Sequence, residues 1–229
     1  MRARPIQEVL RLEKRPAFSM QCHIETESQQ QIQALCADEL LCAHEVIWVH
    51  GPAGVGKTHL AMQLQAQLGL GYFDCAEIPP MQAAILFDSL DLEEPLILDS
   101  VDRWLGPAGA EEALFSWWKR RQAGAVCIAR VSPRTTDLFA LPDLASRAVA
   151  AQVMPLQSLD DSDIERLWHC QLRECGIELS PEATRFLQPR LPRNPGRLMR
   201  LVAAMDQESL RDQRKITVPW LKRLLISLS

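Results

Sequence analysis

The chain has 229 residues, 47% hydrophobic and 24% charged, enough for one sizeable core and a smaller second domain without metal or disulfide staples. A formal charge of -4 gives no overall positive field, which argues against a protein that holds nucleic acid mainly by releasing counterions. The seven cysteines are scattered, with no C-x-x-C pair, and read as buried thiols of a reducing compartment.

The opening residues "MRARPIQEVLRLEKR" lack the apolar core of a signal peptide, and no run approaches the roughly 18 to 20 apolar residues of a membrane span, so a cytoplasmic protein without membrane contact is expected. We expect residues 1–19 to be a flexible tail. Within it "IQEVLRLEK" has the spacing of a short amphipathic helix and equally that of a peptide meant for a partner.

From Ser28 to Cys42 apolar residues recur at helical spacing, and Val46 to His50, "VIWVH", is a buried strand that ends at Gly51. "THLAMQLQAQLG" predicts a helix stopped by Gly69, "GYFDC" a strand, "PMQAAILFDSLD" a helix with Pro80 near its start, and "PLILDS" a second buried strand. "AEEALFSWWKRRQAG" predicts a helix ending at Gly124, and "AVCIARV" the strand after it. Strands alternating with helices give an α/β fold: a parallel sheet with helices on both faces.

After Leu159 the pattern is helical throughout: "LDDSDIERLWHCQLREC", "SPEATRFLQPRL" with Ser180 as its cap, "PGRLMRLVAAMDQ" and "TVPWLKRLLISL". We therefore expect an α/β domain over residues 20–157 and a small helical domain over 158–229. The thiols and imidazole between His169 and Cys175 form an incomplete set for tetrahedral zinc and read as one helix face. Trp48, Trp117 and Trp118 fall at core positions rather than on a recognition surface.

The motif that carries chemistry is "GPAGVGKTH", Gly51 to His59. It fits G-x-x-x-x-G-K-[ST] and lies between a predicted strand and a predicted helix, the context in which that pattern makes a phosphate-binding loop. The residues Gly51, Pro52, Ala53, Gly54, Val55 and Gly56 form the turn whose backbone N–H groups surround a diphosphate, and the helix opening at Lys57, Thr58 and His59 adds its positive end. Lys57 reaches the outer phosphates, and Thr58 together with Asp99, at the end of "PLILD", is suited to hold Mg2+ and its water shell. We choose Asp99 over Asp102. Ser100 occupies the position where hydrolases of this class carry a water-activating acid, so hydrolysis within the chain should be slow.

"GPAGVGKTHL", "EEALF" (residues 111–115), "LPDLASR" (141–147) and "LPRNPGRLMRLVAAMD" (191–206) resemble the AAA+ family of the bacterial initiator DnaA, and within it the Hda-like regulatory inactivators. The resemblance implies an AAA+ sheet followed by a helical lid, and bound ADP or ATP with Mg2+. It implies that Arg147 is an arginine finger offered to a nucleotide held by another subunit, and that a lid arginine, Arg197 with Arg193 as the alternative, touches the phosphates. At the first-sensor position Val131 replaces the polar residues common in DnaA, with Arg130 the nearest polar candidate.

The resemblance further implies a peptide for the DNA polymerase sliding clamp, its beta subunit, on the pattern Q-x-x-L-x-L, matched by Gln7, Leu10 and Leu12. The sequence ends after the lid helices, without a helix-turn-helix, so DnaA is the expected partner and DNA is met only indirectly; self-association is left open. The implied function is negative regulation of replication initiation. The alternatives are a self-contained ATPase of helicase-loader type and an adaptor that tethers DnaA to the clamp without promoting hydrolysis.

Overall fold

The computed structural model describes residues 22, 24–39, 45–106, 109–135, 137–212 and 216–227. Gln7, Leu10 and Leu12 lie outside the described residues. The elements in chain order are α1 (Glu27–Glu39), β1 (Val46–His50), α2 (Lys57–Leu68), β2 (Gly71–Asp74), α3 (Ala83–Ser89), β3 (Leu96–Asp99), α4 (Ala110–Arg120), β4 (Ala125–Ala129), α5 (Pro142–Ala150), β5 (Gln152–Pro155), α6 (Asp161–Glu174), α7 (Pro181–Leu187), α8 (Pro195–Asp212) and α9 (Val218–Ser227).

All five strands are parallel, in the order β2-β3-β4-β1-β5. Alternation along the strands decides which helix covers which face. Val46, Trp48, Leu96, Leu98, Ala125 and Cys127 share one core with residues of α3, α4 and α5. Their neighbours Ile47, Val49, Ile97, Val126 and Ile128 share another with α1 and α2. The expected α/β sheet with helices on both faces is therefore observed. A third core lies within α6 to α9, and Cys22, from the segment before α1, belongs to it. The tryptophans are structural: Phe87 stacks on Trp117 at 5.0 Å and meets Trp104 edge-on at 5.5 Å.

Several local expectations hold to the residue. β1 spans Val46–His50, and α2 ends where Gly69 takes a left-handed conformation (φ 68°) and returns its N–H to the Gln65 carbonyl. Ser180 caps α7 as expected, accepting from the Ala183 N–H; Asp160 caps α6 in the same way through the Asp163 N–H, a cap the sequence reading had not assigned.

Other expectations are corrected. α4 ends at Arg120 rather than continuing to Gly124, because Arg121 turns extended and the N–H groups of Gln122 and Ala123 bond instead to the Leu92 carbonyl. β5 was not anticipated: it is four residues long, half-exposed and closed by Pro155, and it exists through its pairing with β1. The reading of seven independent thiols fails for Cys22 and Cys170, which form a disulfide across 148 residues of sequence; Cys75, Cys127 and Cys175 are free. No described helix is long and apolar enough to cross a membrane.

Candidate nucleotide site

The loop after β1 folds as its glycines require. Gly54 (φ 75°) and Gly56 (φ 111°) both occupy the left-handed region, which turns successive N–H groups toward one centre at the start of α2. Beneath the loop, Gly51 leaves no room for a side chain: a Cβ there would stand 2.9 Å from the Leu156 carbonyl oxygen.

Lys57 Nζ donates to the carbonyls of Gly51 and Pro52, at 2.7 and 2.9 Å, so its ammonium is held against the loop it serves. Burial lowers the Lys57 pKa, the charges of Asp99 and Asp102 oppose that, and Arg130 lowers it further. We expect Lys57→Ala to weaken adenine nucleotide binding about 100-fold, near 2.7 kcal/mol, with the fold intact; titration with a fluorescent nucleotide and circular dichroism check the two halves of this expectation.

Asp99 ends β3 and is almost fully buried. Its Oδ2 accepts from Thr58 Oγ1 at 2.7 Å and from the Tyr72 hydroxyl at 3.2 Å, and its Oδ1 accepts from the Ser100 N–H. Burial pushes its carboxyl above the ordinary range, and the Thr58 hydrogen bond works against that. A hydroxyl and a carboxylate in contact at the mouth of a phosphate loop are oxygen donors suited to a small hard cation, so Thr58 and Asp99 fit Mg2+.

β3 does not border β1, because β4 lies between them. The residues after β4 therefore enter the gap between the loop and Asp99. Arg130 follows β4 and lines the site, with its backbone N–H and Nε both bonded to the carboxylate of Asp102, at 3.1 and 2.8 Å. Asp102 is thus a clamp for Arg130, and Asp99 faces Thr58. Ser100, at φ 57°, also lines the site and leaves no carboxylate in the position after Asp99.

A cavity of about 310 Å³ is lined by the stretch Ala53 to His59 and by the apolar residues Cys22, Ile24, Leu159, Leu167 and Met199. Its size falls in the range of small-molecule sites. The lid touches the loop directly: Asn194 Nδ2 donates to the Ala53 carbonyl at 2.7 Å, and the Gly196 N–H donates to the Gly54 carbonyl at 2.9 Å. Gly196 is required there, since a Cβ would come within 2.9 Å of Gly54 Cα. The Asn-Pro-Gly turn was the available signal for this contact, and sequence reasoning passed over Asn194 in favour of its arginine neighbours. Arg197 is exposed and does not line the cavity; Arg193 pairs with Asp161 at 3.1 Å on the surface.

Arg147 lies elsewhere. Leu144 and Ala148 anchor α5 in the core, which turns Arg147 outward, and its guanidinium carbon sits 5.5 Å from the centre of the Phe115 ring. It is exposed and not part of the wall of its own chain's cavity.

Residues 156–225 match the family model of the Hda lid domain. An uncharacterized protein of Haemophilus influenzae is 26% identical over 185 residues, 78% of this chain and 80% of its own. Domain III of the Thermotoga maritima replication initiation protein DnaA superposes with a TM-score of 0.75 at 16% identity, covering 93% of this chain and 98% of that one. A replication initiator DnaA bound to AMPPCP and single-stranded DNA gives 0.63 at 18% identity, covering 86% and 66%. The Thermotoga maritima RuvB Holliday junction branch migration motor gives 0.62 at 18% identity, covering 89% and 70%. The chain shares the fold of these DnaA and RuvB structures, and the helical segment after its sheet resembles the Hda lid.

Proposed function

We propose that this chain, an Hda-like AAA+ protein, negatively regulates the initiation of chromosomal replication by promoting ATP hydrolysis on DnaA. It holds ADP or ATP in its own loop, where Thr58 and Asp99 would hold Mg2+, and presents Arg147 in trans to the ATP of DnaA. Bound Mg2+ would supply charge neutralisation at the outer phosphates; Lys57 binds them, and the loop N–H groups orient them. The observation that carries the reading is the separation of two parts: a complete phosphate loop inside the chain, and an exposed Arg147 away from it. A finger meant for the chain's own nucleotide would have to reach that cavity.

Gln7, Leu10 and Leu12 are proposed to dock on the sliding clamp. Two buried leucines would each contribute about 1.5 to 3 kcal/mol before ordering costs, a modest site that gains effect by concentrating the domain near DnaA on DNA. Pull-down of the clamp is expected to be lost with Gln7→Ala plus Leu10→Ala; an unchanged pull-down would leave the segment without that role.

The function itself is tested by mixing ATP-loaded DnaA, clamp loaded on DNA and this protein. Hydrolysis on DnaA should rise steeply and the protein alone should turn over little. No rise would overturn the proposal, and rapid turnover by the protein alone, abolished by Lys57→Ala, would instead favour an ATPase of helicase-loader type.

A further inference from the structure

The loop accounts for one part of the cavity wall, but the lining also contains a polar group that nothing above uses. Gln171, on α6, lines the cavity and is 4% exposed. No hydrogen bond of its side-chain amide is found among the described residues, although each amide offers two donors and two acceptor positions. Its amide is not among the described polar groups sealed from solvent without a partner, so it is reached from the cavity and is open to a hydrogen bond from a ligand there.

Its surroundings say which part of a nucleotide that would be. Leu167 is one helical turn before Gln171 and lines the same cavity, while Ile24 and Met199 add apolar surface from two other segments. Flat apolar walls suit the faces of a base, and one amide among them suits its edge. Cys22 also lines the cavity, and its disulfide to Cys170 ties the segment before α1 to the residue adjoining Gln171, so the wall is covalently held to the helix that carries the amide. The other buried amide that lines this cavity, Gln29, is already engaged, its Oε1 accepting from the Thr26 N–H at 2.9 Å. The loop fixes the opposite end of the ligand, because diphosphate charge must sit at the N–H groups between Gly54 and Thr58.

We infer that Gln171 is the specificity-determining residue for the base, its amide hydrogen-bonding the exocyclic amino group and adjoining ring nitrogen of adenine. A side-chain amide pairs side by side with that donor and acceptor, as Asn and Gln do when they read adenine. The inference rests on the nucleotide-binding reading above and deepens it: the phosphate loop supplies affinity for any nucleoside diphosphate, and Gln171 supplies the choice of base.

The test compares three probes on the full chain, wild type and Gln171→Met, by calorimetric titration: ADP, the diphosphate of purine riboside, which lacks the amino group, and pyrophosphate. Wild type should prefer ADP over the purine riboside diphosphate by about 5- to 10-fold, the range of one neutral hydrogen bond. In Gln171→Met that preference should fall to about 1, with pyrophosphate binding unchanged. An undiminished preference in the variant overturns the inference and leaves nucleotide binding standing. Parallel loss of all three probes assigns Gln171 to packing alone and overturns it equally. Failure of wild type to bind ADP overturns this inference and the nucleotide reading together.

Discussion

Arg147→Ala should reduce the stimulated hydrolysis of ATP on DnaA by about 10³-fold or more, to the rate of DnaA alone. A guanidinium brought to the phosphoryl group neutralises charge that grows only in the transition state, and fingers of this kind contribute about 10³ to 10⁵ in rate, roughly 4 to 7 kcal/mol. The position favours such a role: the buried Leu144 and Ala148 fix the outward turn of α5, and the Phe115 ring lies beneath the guanidinium. Stability should hardly change, because an exposed contact of a cation with a ring is worth about 0.5 to 1 kcal/mol. Nucleotide affinity of the chain itself should not change at all, since Arg147 does not line the cavity. Arg147→Lys keeps the charge but not the planar fork and should restore only a small part of the rate. Single-turnover hydrolysis on clamp-loaded DNA measures this directly, and a fully active alanine variant would mean that the protein only tethers DnaA.

The second large effect falls on the support of that helix. Glu111, in the first turn of α4, is 2% exposed, and its carboxylate accepts from the N–H groups of Gly106, Ala140 and Leu141. Leu141 is the residue from which α5 starts, so one side chain fixes both the loop before α4 and the launch of the helix that carries Arg147. Glu111→Ala would leave the N–H groups of Gly106, Ala140 and Leu141 without their charged acceptor, with water able to reach Gly106 and Ala140. At about 1 to 3 kcal/mol for each, partly recovered by water, we expect a loss of about 3 to 5 kcal/mol, read as a lower urea midpoint. Glu111→Gln retains one acceptor oxygen and should fall between the two. A shift below about 1 kcal/mol would show that the three contacts are dispensable. Where the alanine variant still folds, its stimulation of hydrolysis should drop while its ADP affinity holds, since Glu111 supports α5 and not the phosphate loop.

The phosphate half of the site was legible because its chemistry is local. Gly54, Gly56, Lys57 and Thr58 are neighbours in sequence, and the glycines set the conformation of the consecutive backbone groups between them. The lid helices were legible for a similar reason, as with Ser180, which caps the helix that follows it. β5 was not, because Gln152–Pro155 carries almost no strand pattern and takes its structure from β1. The early end of α4 was set by the Leu92 carbonyl, far from it in sequence.

The sequence by itself determined that a strand, a phosphate loop and a helix follow one another at Val46 to Leu68, that Asp99 closes a buried strand, and that a helical lid comes last. The tertiary structure alone decided that β4 separates β1 from β3 and so puts Arg130 beside Lys57, that Asn194 and Gly196 lock the lid to the loop, and that Cys22, Gln171 and Met199 line one cavity. The reason is physical: phosphate recognition uses the backbone of one short segment, whereas a base-binding wall forms only where segments more than a hundred residues apart bury their side chains against one another.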